Sequence, residues 1–121
     1  MSSEGPDDGV VVDVVFEDGL LYLELANLAD RPALGVSCRF EPALVDGQGR
    51  DVSKLGLFSH VEFLAPRRCI RTLLDSSAGF LARENEPRVT VTVEYERPEG
   101  ARRVTQVKHD LALFGELAYV S

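Results

Sequence analysis

The sequence predicts an all-β protein, an antiparallel sandwich of about seven strands, and three observations carry that prediction. Apolar and polar residues alternate with a period of two, most clearly at Val89-Thr90-Val91-Thr92-Val93-Glu94-Tyr95-Glu96. Turn signals rich in Gly, Pro and Asp recur at intervals of roughly 8 to 12 residues. No stretch carries an apolar stripe through three helical turns. A chain of 121 residues, 45% of them hydrophobic and 27% charged, supplies one domain with one core.

Residues 1–9 read as a flexible acidic leader and residues 10–121 as a single domain. Val10 to Phe16 forms the first strand, with Val10, Val12, Val14 and Phe16 on one apolar face. Asp18-Gly19 supplies the two positive-φ positions of a type I′ hairpin, so Leu20 to Ala26 returns antiparallel with Leu21, Leu23 and Leu25 on one face. Leu34 to Glu41 is the third strand, with Val36, Cys38 and Phe40 inward, and Pro42 ends it. Asp46 to Asp51 is a loop, because its two glycines and short polar side chains favour turns. Leu55 to Leu64 reads as a further strand with Val61 and Phe63 opposed to His60 and Glu62.

Pro66 fits the second position of a tight turn over Ala65-Pro66-Arg67-Arg68, which leads into Cys69 to Leu74. Asp75 to Pro87 lacks a period and has room for one helical turn. Val89, Val91, Val93 and Tyr95 then face inward, and Pro98-Glu99-Gly100 turns the chain into a last strand over Arg102 to Leu113. Val104 and Val107 fall on opposite parities there, which predicts a bulge near Thr105-Gln106.

The wording from Leu23 to Phe40, Leu-Glu-Leu-Ala-Asn-Leu-Ala-Asp-Arg-Pro-Ala-Leu-Gly-Val-Ser-Cys-Arg-Phe, resembles bacterial immunoglobulin-like domains, in particular the cell-adhesion-related bacterial domain and its relatives. Phe63-Leu64-Ala65-Pro66, the Val89 to Tyr95 strand and the closing hairpin are similar in order and spacing, so the likeness spans most of residues 10–113. The resemblance implies an immunoglobulin-like β-sandwich with Asn27 and Ala33 at the corner between the second and third strands. Ala29 stands where those domains commonly have Gly, and the buried Trp and paired cysteines of antibody domains are missing. Such domains act mostly as spacers or protein-binding modules.

Chemistry-bearing residues give few combinations. Cys38 is in phase with the core face of its strand, and two isolated cysteines with two isolated histidines do not make a spaced zinc motif. His60 is expected in solvent, and His109 at an edge, bonded to main chain. No nucleophile elbow surrounds Ser59, Ser76 or Ser77, and no Gly-rich phosphate loop leads into a helix, so the chain reads as non-enzymatic, without a cofactor. Asp46 and Asp51 with the loop carbonyls could take calcium, but their spacing is not that of an EF-hand and a solvated turn is the better reading.

The net charge is −7, and residues 1–60 hold four basic against eleven acidic side chains while residues 61–121 hold nine of each. An acidic chain is poorly suited to nucleic acid. The arginines of the second half gather at Arg67, Arg68 and Arg71 and again at Arg97, Arg102 and Arg103, and the two groups could hold an anion. The competing reading pairs Arg102 and Arg103 with Glu94 and Glu96 across a hairpin. Phe80 and Leu81, two large apolar neighbours in a polar stretch, either plug the core or meet a partner, the plug being the commoner use. Leu20 and Tyr22 on the outward face of the second strand add another contact patch.

The expected function is therefore protein–protein contact, with a partner protein or a second copy in a homo-oligomer. The alternative is a small sensor domain that holds an anionic ligand at Arg67, Arg68, Arg71, Arg102 and Arg103. The amino terminus has no signal-peptide pattern and no apolar run is long enough to span a membrane, so no membrane insertion and a cytoplasmic setting are expected.

Overall fold

The structure is a computed structural model that describes residues 9–83 and 86–114. Seven strands are present among them: β1 (Val10–Glu17), β2 (Leu20–Asn27), β3 (Ala33–Glu41), β4 (Val61–Leu64), β5 (Cys69–Ser76), β6 (Arg88–Glu96) and β7 (Arg102–Asp110). They form a three-stranded sheet in the order β1-β2-β5 and a four-stranded sheet in the order β4-β3-β6-β7, with every pairing antiparallel. The protein is an all-β antiparallel sandwich. The fourth strand joins the third rather than the fifth, so the chain crosses between sheets after β2, β4 and β5.

Alternation placed the core faces correctly in most strands. Val10, Val12 and Val14 of β1, Leu21, Leu23 and Leu25 of β2, and Val89, Val91, Val93 and Tyr95 of β6 are all buried in one cluster. Asp18 and Gly19 have φ of 54° and 80°, the two positive values a type I′ turn needs. Ala33 and Val36 of β3 are both fully buried although three residues apart, because Gly35 at φ 55° shifts the register against β6 there.

Three expectations fail for identifiable reasons. Residues 55–60 are not strand: Val52–Lys54 forms a 3-10 turn and Gly56–Ser59 a short helix, α1. Val52, Leu55 and Phe58 recur every third residue, and this spacing sets Val52 and Phe58 into the core, with the Phe58 ring edge-on to Phe40 at 5.0 Å. In the short β4 that remains, Leu64 is buried and Phe63 is 60% exposed, so Phe63 does not face the core as the alternation suggested. The bulge expected in β7 is missing. The β6–β7 register runs unbroken from Arg88 opposite Asp110 to Glu96 opposite Arg102, and Val104 simply faces solvent.

Ser77–Ala82 forms a second short helix, α2, whose start is capped by the Ser76 hydroxyl accepting from Gly79 N–H at 3.0 Å. It buries Phe80 to 1% exposure and packs Leu81 against the core cluster. These two residues are the plug, and Phe80 is not on the surface to meet a partner. At the opposite end Asn27, itself 1% exposed, ties the β2–β3 corner to the β4–β5 turn. Its Nδ2 donates to the carbonyls of Arg31 at 2.8 Å, Leu64 at 3.2 Å and Ala65 at 3.2 Å, while its Oδ1 accepts from Ala29 N–H at 3.2 Å.

The sandwich is closed on one side by side chains rather than a ladder. On β7, the Thr105 hydroxyl donates to the Val10 carbonyl and His109 Nε2 lies 2.8 Å from the Val12 carbonyl. His109 is thus an edge residue bonded to main chain, as its phase in the sequence implied.

Candidate functional site

The arginines singled out from the sequence do not converge. Arg71 projects from the outer face of the β1-β2-β5 sheet, where it bonds Glu24 at 3.2 Å and Glu17 at 3.0 Å. Arg102 projects from the outer face of the other sheet, bonded to Glu96 at 3.2 Å and Glu94 at 3.4 Å. The two sheets, packed about 10 Å apart, lie between them. Arg67 pairs with Asp30 at 2.7 Å, and the Arg67 guanidinium holds the Asp30 carboxyl below its ordinary value. Arg97 is buried, stacks over Tyr95 at 4.9 Å and donates to the carbonyls of Arg31 and Pro32. Arg68 and Arg103 are exposed at the same end. Arg103 acts at a distance on Glu99, whose carboxyl is lowered by its own main-chain N–H first and also by Arg31. The cross-hairpin pairing holds for Arg102, while Arg103 stands opposite Tyr95.

The Asp46 loop is filled by its own groups. The two Asp46 oxygens accept from Gln48 N–H and Arg50 N–H, both at 2.9 Å, and from Arg50 Nε at 3.1 Å. Asp51 accepts from Ser53 N–H at 3.0 Å and starts the 3-10 turn. The main-chain N–H of Arg50 is the chief cause of an Asp46 carboxyl held below its ordinary 3.8. A depressed carboxyl stabilises the fold fully above its unfolded value and loses that contribution as pH falls through its folded one. Asp46→Asn is therefore expected to lower the melting temperature at about pH 6, and the gap to the wild type is expected to close as the pH drops well below 3.8, as followed by circular dichroism.

Burial pushes the Cys38 thiol up to about 12, whereas Cys69 is exposed on β5. Iodoacetamide at about pH 8 should label one thiol per folded chain, mapped to Cys69 by peptide mass, and reach Cys38 only after unfolding.

The organised surface lies on the outer face of the three-stranded sheet. The register sets Val15, Tyr22 and Leu73 side by side in one row, Asp13, Glu24 and Arg71 in the next, and Val11, Ala26 and Cys69 in a third. Leu73 is 47% exposed, and Val11, Val15 and Tyr22 are half-buried. Arg71 leans over the Tyr22 ring, 5.1 Å from its centroid, to reach Glu17 on β1. Asp13 is exposed, accepts only the N–H of Val14, and has no ion pair among the described residues. The face thus sets two apolar rows around a charged one, the third row reaching the surface through Val11 and Cys69 because Ala26 is buried, with three carboxylates, Asp13, Glu17 and Glu24, against one guanidinium.

The sequence pointed to this face through Tyr22, Leu20 and the apolar outer positions of β1. It missed Leu73, although Leu73 keeps the outward alternation of Cys69 and Arg71, because the faces of that strand were not assigned; the bulge in β5 lies just beyond it, between Leu73 and Asp75. On the other sheet, a shallow groove lined by Arg88, Thr90, Lys108 and Asp110 sets Arg88 opposite Asp110 and gathers no convergent polar set. Among the described residues no cluster of His, Cys, Asp and Glu could hold a metal ion, and no helix is long and apolar enough to cross a membrane.

No curated protein and no solved structure matches the chain. Residues 4–114 match a family described as a domain of unknown function, DUF8453, and the chain belongs to that family.

Proposed function

We propose that the chain is a non-enzymatic protein-binding module, and that it receives a partner protein on the outer face of the β1-β2-β5 sheet. The observation that carries this reading is the order of rows on that face, apolar, charged, apolar, with its excess of carboxylates. The partner's contact surface is apolar with Lys or Arg at its centre, because opposite potentials steer and register an encounter. A second copy laid face to face about a two-fold axis through the central row sets Glu24 against Glu24, so this face favours a different protein. The strand order and the buried Asn27 corner support the resemblance to bacterial immunoglobulin-like domains, many of which bind proteins or space them apart. A cytoplasmic setting belongs to the same proposal, with Cys38 and Cys69 both free thiols.

Photocrosslinking from positions 15, 22 and 73, compared with positions 104 and 106 on the opposite sheet, tests the reading in the cells that make the protein. Adducts confined to the first three positions are expected. Binding of the captured protein to the purified chain should weaken at least about tenfold between low and high salt. Adducts from positions 104 and 106 alone, no adducts, or binding indifferent to salt would overturn the proposal.

A further inference from the structure

Two sheet edges are finished in opposite ways. Along β1 the carbonyls of Val10 and Val12 point away from β2 and are taken by Thr105 and His109, and the N–H of Val14 is taken by Asp13. Natural sheets block exposed edges in this manner, since unpaired main-chain groups invite another strand.

Along β5 the same groups are open. Asn27 N–H bonds the Arg68 carbonyl at 2.9 Å, and Leu25 and Leu23 stand opposite Ile70 and Thr72. The alternation of an antiparallel ladder therefore turns the N–H and C=O of Cys69, Arg71 and Leu73 outward. Among the described residues none of these groups has a hydrogen-bond partner. The one charge on this stretch, Arg71, does not guard the edge. It folds back over Tyr22 to Glu24 and Glu17, leaving the exposed Cys69 and Leu73 beside the open groups.

We infer that β5 pairs antiparallel with β5 of a second copy about a two-fold axis at Arg71, which joins two three-stranded sheets into one of six strands. Three open residues spaced by two are self-complementary under that axis: Cys69 meets Leu73 of the partner subunit, Arg71 meets Arg71 of the partner subunit, and about six main-chain hydrogen bonds form. Two arginines directly opposed would repel, but each is already held between two carboxylates on its own sheet. The contact uses main-chain groups at an edge, stands independently of the proposed partner face, and leaves that face open and twice as wide. An interface of this size is expected to give a dissociation constant of roughly micromolar to millimolar.

Leu73→Cys tests both the pairing and its register. Within one chain positions 69 and 73 are separated by about 13 Å of strand, too far for a disulfide. Across the axis they are direct neighbours. Mild oxidation of the variant at high protein concentration should give a linked dimer whose peptides join position 69 to position 73, at a yield at least about tenfold above that of the wild type. Leu73→Lys, at an exposed position, should leave the circular dichroism spectrum unchanged and weaken dimerisation at least about tenfold by analytical ultracentrifugation. A wild type that stays monomeric to about 1 mM, a Leu73→Lys dimer of unchanged affinity, or linkage mainly between like positions would overturn the inference.

Discussion

Phe80→Ala is expected to lower the unfolding free energy by about 3–5 kcal/mol, measured by urea titration, because it deletes a large side chain from a packed interior. Phe80 is 1% exposed, and its helix is short enough that the ring, the Ser76 cap and Arg83 are what hold it. Arg83 reaches from the helix to Asp75 and to the Val45 carbonyl at 3.1 Å, so loss of the ring also loosens the loop that follows β3. A surface contact residue would give a change within about 0.5 kcal/mol. Phe80→Leu, which keeps most of the volume, should cost less than half as much as the alanine.

Asn27→Ala is expected to cost about 2–4 kcal/mol, with protection from amide exchange lost first at the corner of residues 28–32. Removing the amide takes one bond from each of the carbonyls of Arg31, Leu64 and Ala65 and leaves the N–H of Ala29 without its acceptor, while Arg97 still reaches the Arg31 carbonyl and the Arg68 N–H that of Ala65. Buried polar groups left without partners cost about 1–3 kcal/mol each, and those near the surface recover part of this from water. Asn27→Asp should be no milder, since a carboxylate accepts but cannot donate to three carbonyls. A shallow loss with uniform exchange across the sandwich would mean that Asn27 is not the tie between the two sheets.

Most of the sandwich was legible because the strands are half-buried and their parity is unbroken, as in β1, β2 and β6. Parity failed where an extra residue enters. The bulges at Gly35 and opposite Leu21 and Tyr22 depend on how two strands meet, which neither strand states alone. It also failed at Val52, Leu55 and Phe58, whose three-residue period runs across the start of the stretch from Leu55 to Leu64 that read as a strand. The arginines failed for another reason. Nearness in sequence does not say on which face of which sheet a side chain emerges, and Arg71 and Arg102 emerge on opposite ones. The Asp13, Glu24 and Arg71 row needed the pairing of three strands, one of them from a distant part of the chain.

The side-chain closure between β1 and β7 bears on how the protein carries load. Thr105 reaches Val10 and His109 reaches Val12, so the two strands run in the same direction. Tension between residues 10 and 110 therefore drags them past each other. A full ladder in that arrangement would share the strain over many bonds, whereas here two side chains take it. Under an end-to-end pull β1 should slip first and peel from β2 as a short early extension, while the four-stranded sheet and its Val89 to Tyr95 core stay intact until a higher force.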